Sequence, residues 1–312
     1  MNASSPHGML VERSTPLIQL QDAGRFGVRH LGVTQGGALD WVSSNWANWL
    51  LGNTLGAAVV EITLGNFSLI CQEHGCLALT GADLGATLDD EPLAPWRSFR
   101  VRTGQRLAFA QPLRGARAYL AAPGGFAAPG VLGSCASVAR EGLGGLRGDG
   151  SPLASGDRLT WHGPSPTPRD VPQRLIPHFA PQPHLELTLG AQIGDFSGAS
   201  LFEAFNNPWT LDTRADRMGM RLTGPRLQCR RSAMISEGIP LGAVQVPADG
   251  QPIVLLNDRQ TIGGYPRLGA LTPQAVARLA QCLPGETLRL APVLQGSAQQ
   301  QHLRVLAQWR QG

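Results

Sequence analysis

Apolar residues in this chain occur in short runs that glycine and proline separate. Residues 236–265 hold two such runs, Ala243–Val246 and Ile253–Leu256, both rich in β-branched residues, which is the pattern of short strands. Between them, the Ala-Asp-Gly sequence at 248–250 is typical of a tight turn, because glycine adopts a positive φ at little cost. The pattern predicts a β-hairpin here, and similar short runs recur along most of the chain.

Three segments carry the start and stop signals of a helix instead. The clearest is Trp41–Leu51, which Asp40 would cap at its N-terminus and Gly52 would end. The other two predicted helices run from Ser197 to Phe205 and from Thr272-Pro273 to the stop at Pro284-Gly285.

Polar side chains gather where the strands of residues 236–265 should end. Polar groups on rigid strand ends, beside a Gly-Gly pair that lets a ligand approach, are suited to a binding site. A solvated hairpin is the alternative interpretation. The candidate binding or catalytic residues of this stretch are Glu237, Gln245, Asp258, Thr261 and Tyr265.

A glycine-rich loop follows the first predicted strand, Leu17–Leu20. It carries Asp22 and Arg25, which would either orient a polar ligand or form an ion pair that braces the loop. The spacing of its glycines matches neither the strand–GxGxxG–helix pattern of dinucleotide-binding folds nor the phosphate-binding P-loop.

The remaining candidates each have a structural explanation beside the functional one. Asp40 and Asn48 belong to the first predicted helix, and Glu61 begins a strand. Asp83 follows a strand, where a turn explains it equally well. Arg217, in the charged segment 214–221, would hold a carboxylate or phosphate in a bidentate contact or pair with an aspartate of the same chain.

Composition favours a mainly β fold with two halves. The 312 residues suffice for two cores, and 39 glycines and 24 prolines with only 15% charged residues indicate many short strands. The pattern predicts two partly closed β-barrel halves with a few capping helices. The predicted boundaries are 10–162 for the N-terminal half, 163–183 for a proline-rich linker, 184–296 for the C-terminal half and 297–312 for a peripheral tail.

The basic residues are all of one type. Each of the 26 is arginine, and the sequence contains no lysine. This excludes Schiff-base chemistry, a P-loop lysine and a Ser-Lys nucleophile pair from this chain. The net charge of +4 is spread without a basic run, so nucleic-acid binding is not expected.

The five cysteines, at positions 71, 76, 135, 229 and 282, lack the spacing of a disulfide framework. Reduced thiols in a cytoplasmic protein are therefore expected. Cys71 and Cys76 flank His74 but no second ligand pair follows, so no metal site is predicted. Residues 1–14 have no apolar signal-peptide core, and the uncharged stretch 41–60 is broken by Ser, Asn and Gly, so a membrane span is not expected.

Several motifs in order along residues 12–295 resemble the family of 5-oxoprolinase C subunits, also called the KipI-antagonist or allophanate hydrolase subunit 2 family, with biotin-dependent carboxyltransferase-type proteins. The sequence departs from the family pattern at Gly36, Leu39, Ser134–Ser137 and Gly144–Gly150. The motifs that carry the resemblance are Gln21-Asp22-x-Gly24-Arg25-x-Gly27, Gly37-Ala-Leu-Asp40, Ala47-Asn48, Gly52-Asn53, Glu61-x-Thr63, Gly81-Ala-Asp83, Tyr119-Leu-Ala, Gly124-Gly125, Asp216-Arg-Met-Gly219, Ser236-Glu-Gly238 and Gln245 to Thr261-x-Gly-Gly-Tyr265.

This resemblance implies a cyclophilin-like double β-barrel. It also implies a heteromeric complex with two partner proteins, a KipI-like protein, which is the B subunit, and a third protein, which is the A subunit. The complex would hydrolyse 5-oxoproline to glutamate with ATP, Mg²⁺ assisting, by phosphorylating the lactam oxygen so that water attacks the ring carbonyl.

The roles that the resemblance suggests group the candidates by chemistry. Asp22 and Arg25 would position the lactam or a phosphate, Asn48 and Gln245 would hydrogen-bond the amide, and Asp258, Thr261 and Tyr265 would line the pocket. The predicted catalytic residues are Glu61 and Glu237 as carboxylates and Arg217 as the group that neutralises phosphate charge, with Asp40 and Asp83 among the substrate-binding candidates.

Two other functions fit the same resemblance. One is a carboxyltransferase module that acts on urea or a related amide through carboxybiotin, which would need a separate biotin carrier because this chain has no lysine. The other is a regulator that binds a KipI-like inhibitor without turnover.

Overall fold

The computed structural model describes residues 7–231 and 234–309. These residues form two compact units. Unit 1 consists of the described residues within Met1–Phe26 and Gly36–His178, and unit 2 consists of those within Gly27–Gln35 and Phe179–Gly312. The predicted boundaries at 162 and 184 remain a prediction, and the short segment 27–35 belongs to unit 2.

Unit 1 is built from two antiparallel sheets. The six-stranded sheet has the order β11-β1-β4-β9-β6-β7 and the five-stranded sheet has the order β2-β3-β10-β5-β8. Their strands are β1 (His7–Arg13), β2 (Ile18–Gln21), β3 (Val59–Thr63), β4 (Phe67–Cys71), β5 (Gly75–Asp83), β6 (Ala86–Leu88), β7 (Glu91–Pro92), β8 (Arg97–Val101), β9 (Arg106–Phe109), β10 (Arg114–Ala121) and β11 (Arg158–Trp161).

Close approach of backbones explains a glycine at the centre of the five-stranded sheet. The pairing of β10 with β5 shifts register between Arg114 and Ala118. Gly81 lies at that irregularity with φ +84°, and a Cβ on it would meet the Arg117 carbonyl oxygen at 2.4 Å. Only glycine fits such a position without strain.

Unit 2 contains a closed barrel of seven strands in the order β12-β19-β16-β17-β14-β13-β20. The barrel closes through a parallel pairing of β12 with β20, and a separate two-stranded ribbon pairs β15 with β18. The strands of this unit are β12 (His184–Leu189), β13 (Trp209–Leu211), β14 (Gly219–Thr223), β15 (Glu237–Gly238), β16 (Ala243–Gln245), β17 (Ile253–Leu255), β18 (Ile262–Gly263), β19 (Arg267–Leu271) and β20 (Thr287–Pro292).

Four α-helices accompany the strands in the described ranges: α1 (Trp41–Leu51) in unit 1, and α2 (Gly198–Asn206), α3 (Pro273–Leu279) and α4 (Gln295–Gln308) in unit 2. The three predicted helices are confirmed, with side-chain N-caps at Asp40, Ser197 and Thr272. Helix α3 ends four residues earlier than the predicted Leu283, at Leu279. The tail predicted to be peripheral contains most of α4.

The mainly β fold class is confirmed. The predicted hairpin is confirmed as well, since Val244 pairs with Val254 and Gln245 with Ile253. The core of unit 1 contains large fully buried side chains, among them Trp161 and Phe67. No helix among the described residues is long and apolar enough to cross a membrane.

Candidate functional site

The candidate residues of unit 1 include a buried carboxylate, Glu61, on β3. Its partner across the sheet is Tyr119 on β10, and the Tyr119 hydroxyl donates to Glu61 Oε2 at 2.8 Å. The same oxygen accepts the Leu39 backbone N–H at 2.9 Å, and the Arg117 guanidinium forms a 4.0 Å ion pair with the other oxygen. Glu61 is only 2% exposed, so its described contacts connect β3, β10 and the segment before α1.

Tyr119 links this carboxylate to the start of helix α1. Its hydroxyl accepts the Asp40 backbone N–H at 2.8 Å, while the Asp40 side chain accepts from the backbone N–H and hydroxyl of Ser43 at 3.0 and 2.5 Å. Burial raises the pKa of Tyr119 well above its usual range, and the nearby charges of Glu61 and Asp40 raise it further. Tyr119 therefore stays protonated and serves as a donor to Glu61.

Asp22 and Arg25 both hold one loop of unit 1, residues 131–136. Asp22 accepts from the Ser134 hydroxyl at 2.6 Å and from the Cys135 backbone N–H at 2.8 Å. Arg25, 1% exposed, donates to the backbone carbonyls of residues 131, 134 and 136. These contacts join the glycine-rich loop to residues 131–136 through backbone and hydroxyl groups. They differ from the Asp22–Arg25 ion pair that the sequence offered as the structural alternative.

Asn48 and Asp83 lie elsewhere in unit 1. Asn48 near the end of α1 donates to the Ala57 carbonyl and accepts from Asn53, both at 2.9 Å. Asp83 accepts the Gly85 backbone N–H at 3.0 Å, which is the turn geometry expected of an aspartate after a strand. Both side chains have local structural contacts.

In unit 2, Arg217 and Asp258 form a bidentate ion pair. The Arg217 Nε and Nη2 atoms each lie 3.0 Å from a different oxygen of Asp258. The two side chains are 15% and 10% exposed. The intrachain Arg-Asp pairing that the sequence left open is therefore present, between two residues that the sequence proposed for different roles.

The ribbon of β15 and β18 carries Glu237. Its carboxylate accepts from the Arg267 guanidinium of β19 and from Gln192 Nε2, the latter at 3.0 Å. Arg267 and Gln192 also line a cavity of about 160 Å³. Glu237 is the more exposed member of the ion pair, with 40% of its side chain accessible.

Gln245 lies beside the same ribbon and is 2% exposed. Its Nε2 atom has no hydrogen-bond partner among the described residues. A Cβ built on Gly263 of β18 would lie 3.1 Å from this atom and 3.1 Å from Ile239 Cδ1. A buried amide donor without a partner is uncommon and costly, so the Gln245 amide is a point at which a ligand oxygen would be favoured.

Two arginines that the sequence did not single out as a pair meet at the ribbon. Arg29 Nη2 donates to the carbonyls of Ile239 and Thr261 at 2.5 and 3.0 Å. Arg259 Nε donates to the same Ile239 carbonyl at 3.0 Å, and its Nη1 to the Leu256 carbonyl at 3.1 Å. The backbone of Thr261, a candidate residue, thus belongs to this arrangement.

The structure brings some candidates together and leaves others apart. Within unit 1, Asp40 and Glu61 share a network, Asp22 and Arg25 share a loop, and Asn48 and Asp83 are separate. Within unit 2, Glu237 lies in the ribbon with Gln245 and Thr261 beside it, Arg217 pairs with Asp258, and the Tyr265 side chain is exposed. The assignment of all these residues to a functional site remains a prediction.

Sequence reasoning did not propose Arg29, Gln192, Arg259 or Arg267 as site residues, and it named Tyr119 only within a motif that carries the family resemblance. Tyr119 offered a signal, because it is one of only two tyrosines in the sequence. Arg29 offered none, since its partners are more than 200 positions away.

No group of three or more His, Cys, Asp or Glu side chains among residues 7–231 and 234–309 is arranged to hold a metal ion.

Comparison with known proteins gives a consistent result. The family described as "Carboxyltransferase domain, subdomain A and B" matches residues 31–292. The chain is 38% identical over 273 residues to the C subunit of 5-oxoprolinase from Escherichia coli (strain K12), covering 86% of both proteins. It is 35% identical to the corresponding 5-oxoprolinase C subunit of Haemophilus influenzae, covering 88% of this chain and 87% of that protein.

Among solved structures, the urea amidolyase of K. lactis is similar to 98% of this chain with a TM-score of 0.92 and 26% sequence identity. The match covers 20% of that larger chain.

Proposed function

Because this chain belongs to the carboxyltransferase domain family, and within it to the 5-oxoprolinase C subunits, we propose that it is the C subunit of a heteromeric, ATP-dependent 5-oxoprolinase. The observation that carries the proposal is the 38% identity that extends over 86% of both chains. The relatives are named as one subunit of an enzyme, so we propose that hydrolysis requires the A and B subunits in addition to this chain.

The chemistry of unit 2 supports an amide substrate with a negative charge. Gln245 supplies an amide group whose donor has no partner among the described residues, and arginine guanidinium groups surround the ribbon of β15 and β18. A lactam presents one carbonyl oxygen, and 5-oxoproline adds a carboxylate. The Gln245 amide suits the lactam oxygen and the arginine guanidinium groups suit the carboxylate, and both lie near the ribbon.

Glu61 has a different role in this proposal. Its carboxylate accepts hydrogen bonds from the Leu39 backbone N–H and the Tyr119 hydroxyl, and it is buried beside Arg117. We assign it as a positioning residue that fixes the start of α1, and we assign Glu237, which is partly exposed, as the better candidate for acid-base chemistry.

ATP would supply the free energy for opening the lactam ring. The described residues contain no group of three or more His, Cys, Asp or Glu side chains placed to hold a metal ion, and the sequence has no P-loop lysine. We therefore derive no step through Mg²⁺ or the nucleotide from the residues of this chain.

The test is co-expression of this chain with the neighbouring open reading frames that encode the proposed partners. The purified complex should release glutamate from 5-oxoproline only when ATP is added, and omission of this chain should abolish the release. Glu237→Gln should lower kcat by about 10²-fold or more, whereas Glu203→Gln, on helix α2 of the same unit, should leave it unchanged. Full activity without this chain, or a complete complex without glutamate release, would refute the proposal.

A second candidate function is carboxyl transfer to urea or a related amide. The observation that favours it is the TM-score of 0.92 with a urea amidolyase over 98% of this chain. Carboxybiotin would have to arrive on another polypeptide, because biotin is carried on lysine and this sequence has none.

A further inference from the structure

Arg29 and Arg259 form a pair of cations without a carboxylate partner among the described residues. Their guanidinium groups converge on the Ile239 carbonyl oxygen, at 2.5 and 3.0 Å. Two other arginines of unit 2 differ, since Arg217 pairs with Asp258 and Arg267 with Glu237. Each member of the pair also keeps N–H groups beyond those that contact the backbone carbonyls.

The position of this pair is costly for two positive charges. Arg259 is 3% exposed, and burial together with the Arg29 charge lowers the pKa of Arg259 to about 9. Burial also lowers the pKa of Arg29. Two like charges that share one carbonyl and have no counter-ion among the described residues would be stabilised by an anion bound between them.

A second observation at the same ribbon points to a ligand. Gln245 Nε2 is buried without a partner among the described residues, and Gly263, which lies against it, also approaches the Ile239 side chain. Ile239 therefore connects the two features: its carbonyl receives both arginines, and its side chain lies near the amide. A ligand with an anionic group and a separate oxygen acceptor would satisfy both.

We propose that Arg29 and Arg259 bind the carboxylate of 5-oxoproline and that Gln245 donates to its lactam oxygen. The inference rests on the proposed function for the identity of the ligand. In this proposal the segment 27–35, which is the N-terminal portion of unit 2, supplies a substrate-binding residue, Arg29.

Three probes separate the parts of the proposed site in a calorimetric titration of the full chain and of its complex. 5-Oxoproline carries both groups, 2-pyrrolidinone carries the lactam alone, and inorganic phosphate is an anion without a lactam. We expect 5-oxoproline to bind at least about tenfold more tightly than 2-pyrrolidinone. Only 5-oxoproline has a carboxylate, and a charge-assisted hydrogen bond from arginine to that carboxylate contributes this much to the binding free energy. If phosphate does not displace 5-oxoproline, the result supports a site for a carboxylate. If phosphate binds more tightly than 5-oxoproline, the result overturns the carboxylate assignment.

Arg29→Gln removes the positive charge that is proposed to bind the carboxylate. Because Arg29 is only half-buried, the new amide group remains partly accessible to water. It should raise the Kd of 5-oxoproline about tenfold or more and leave that of 2-pyrrolidinone unchanged. The matched control is Arg289→Gln, since Arg289 is also half-buried in unit 2 and donates to a backbone carbonyl, that of Asn206. Equal Kd values for the Arg29 variant and this control would overturn the proposal.

Gln245→Met keeps the size of the side chain and removes the donor. It should weaken the binding of both 5-oxoproline and 2-pyrrolidinone by a similar factor. Unchanged binding of both lactams would remove Gln245 from the site.

The two failures are distinguishable. If the complex releases glutamate and Arg29→Gln leaves its KM unchanged, the site is wrong and the proposed function stands. If the complex releases no glutamate but binding of 5-oxoproline depends on Arg29, the proposed function is wrong and the carboxylate site stands. If none of the three probes binds the chain or the complex, the site is refuted.

Discussion

At the scale of single residues, arginine carries all of the strong positive charge of this chain, and the structure uses it in three ways. Arg25 donates to backbone carbonyls of the loop 131–136, Arg217 holds a carboxylate, and Arg29 and Arg259 share a carbonyl oxygen. A planar guanidinium suits each arrangement because it presents several donors in fixed directions, which a lysine ammonium does not.

The Arg217–Asp258 pair should contribute strongly to the stability of unit 2. Arg217→Gln leaves the Asp258 carboxylate, 10% exposed, without its bidentate partner, so we expect the free energy of unfolding to fall by about 3 kcal/mol. Chemical denaturation followed by circular dichroism measures the change.

The matched control for that prediction is Arg214→Gln. Arg214 also makes two hydrogen bonds to one aspartate, Asp212, but 71% of its side chain is exposed. Because the Arg214 guanidinium lies mostly in solvent, its contact contributes little, and the loss should be much smaller than that of Arg217→Gln. Equal effects of the two substitutions would show that burial does not govern the Arg217 pair.

Cys135 should be unreactive in the folded protein. Burial, with a further contribution from Asp22, raises the pKa of its thiol to about 12, so at pH 8 it has roughly a thousandfold less thiolate than an ordinary cysteine. Iodoacetamide should label the half-buried Cys229 first, as measured by mass spectrometry of the alkylated peptides.

The Asp22 charge affects the reactivity of Cys135 in a definite direction. Asp22 raises the pKa of Cys135 through its charge, so Asp22→Asn should lower that pKa and speed the labelling. Rapid labelling of Cys135 in the wild-type chain, or slower labelling in the variant, would contradict this account.

At the scale of secondary-structure elements, helix α1 shows what local sequence can determine. Asp40, an uncharged run from Trp41 to Leu51, and Gly52 with φ +70° define the helix and its two ends, and all these signals lie within thirteen consecutive positions. The hairpin of β16 and β17 was predictable for the same reason, since its strands and its turn are contiguous.

The candidate site was predictable only in part. Glu237, Gln245 and Thr261 follow from polar residues at strand ends within one short stretch. The Arg29 contacts to Ile239 and Thr261 span more than 200 positions, and no local signal specifies such a pairing. The Glu61 carboxylate likewise accepts a hydrogen bond from Tyr119, which lies 58 positions away on another strand.

The N-cap of α1 offers a test at this scale. Asp40→Ala removes the acceptor for the Ser43 backbone N–H, and we expect the helix to lose about 1 kcal/mol of stability. Hydrogen exchange of the peptide covering 41–51 should accelerate several-fold. Asp40→Asn retains a capping oxygen, so it should exchange more slowly than the alanine variant; the reverse order would rule out the cap as the source of the effect.

At the scale of the whole molecule, the two candidate functions rest on matches that cover different shares of the matched proteins. The chain covers 86% of the E. coli 5-oxoprolinase C subunit, whereas its match covers 20% of the K. lactis urea amidolyase chain. A fold shared with a carboxyltransferase domain is compatible with either chemistry, because one fold supports several functions. The difference between the two must therefore be measured on the complete complex.

Avidin provides that measurement, since it binds biotin tightly and blocks transfer from carboxybiotin. This chain has no lysine to carry biotin, and the proposed hydrolase does not use biotin. We therefore expect the rate of ATP-dependent glutamate release by the complex to be unchanged when avidin is added in excess. A biotin-dependent carboxylase serves as the positive control for inhibition. Loss of activity with avidin, prevented when the avidin is first saturated with free biotin, would instead assign this chain to carboxyl transfer and would locate the biotin on a partner protein.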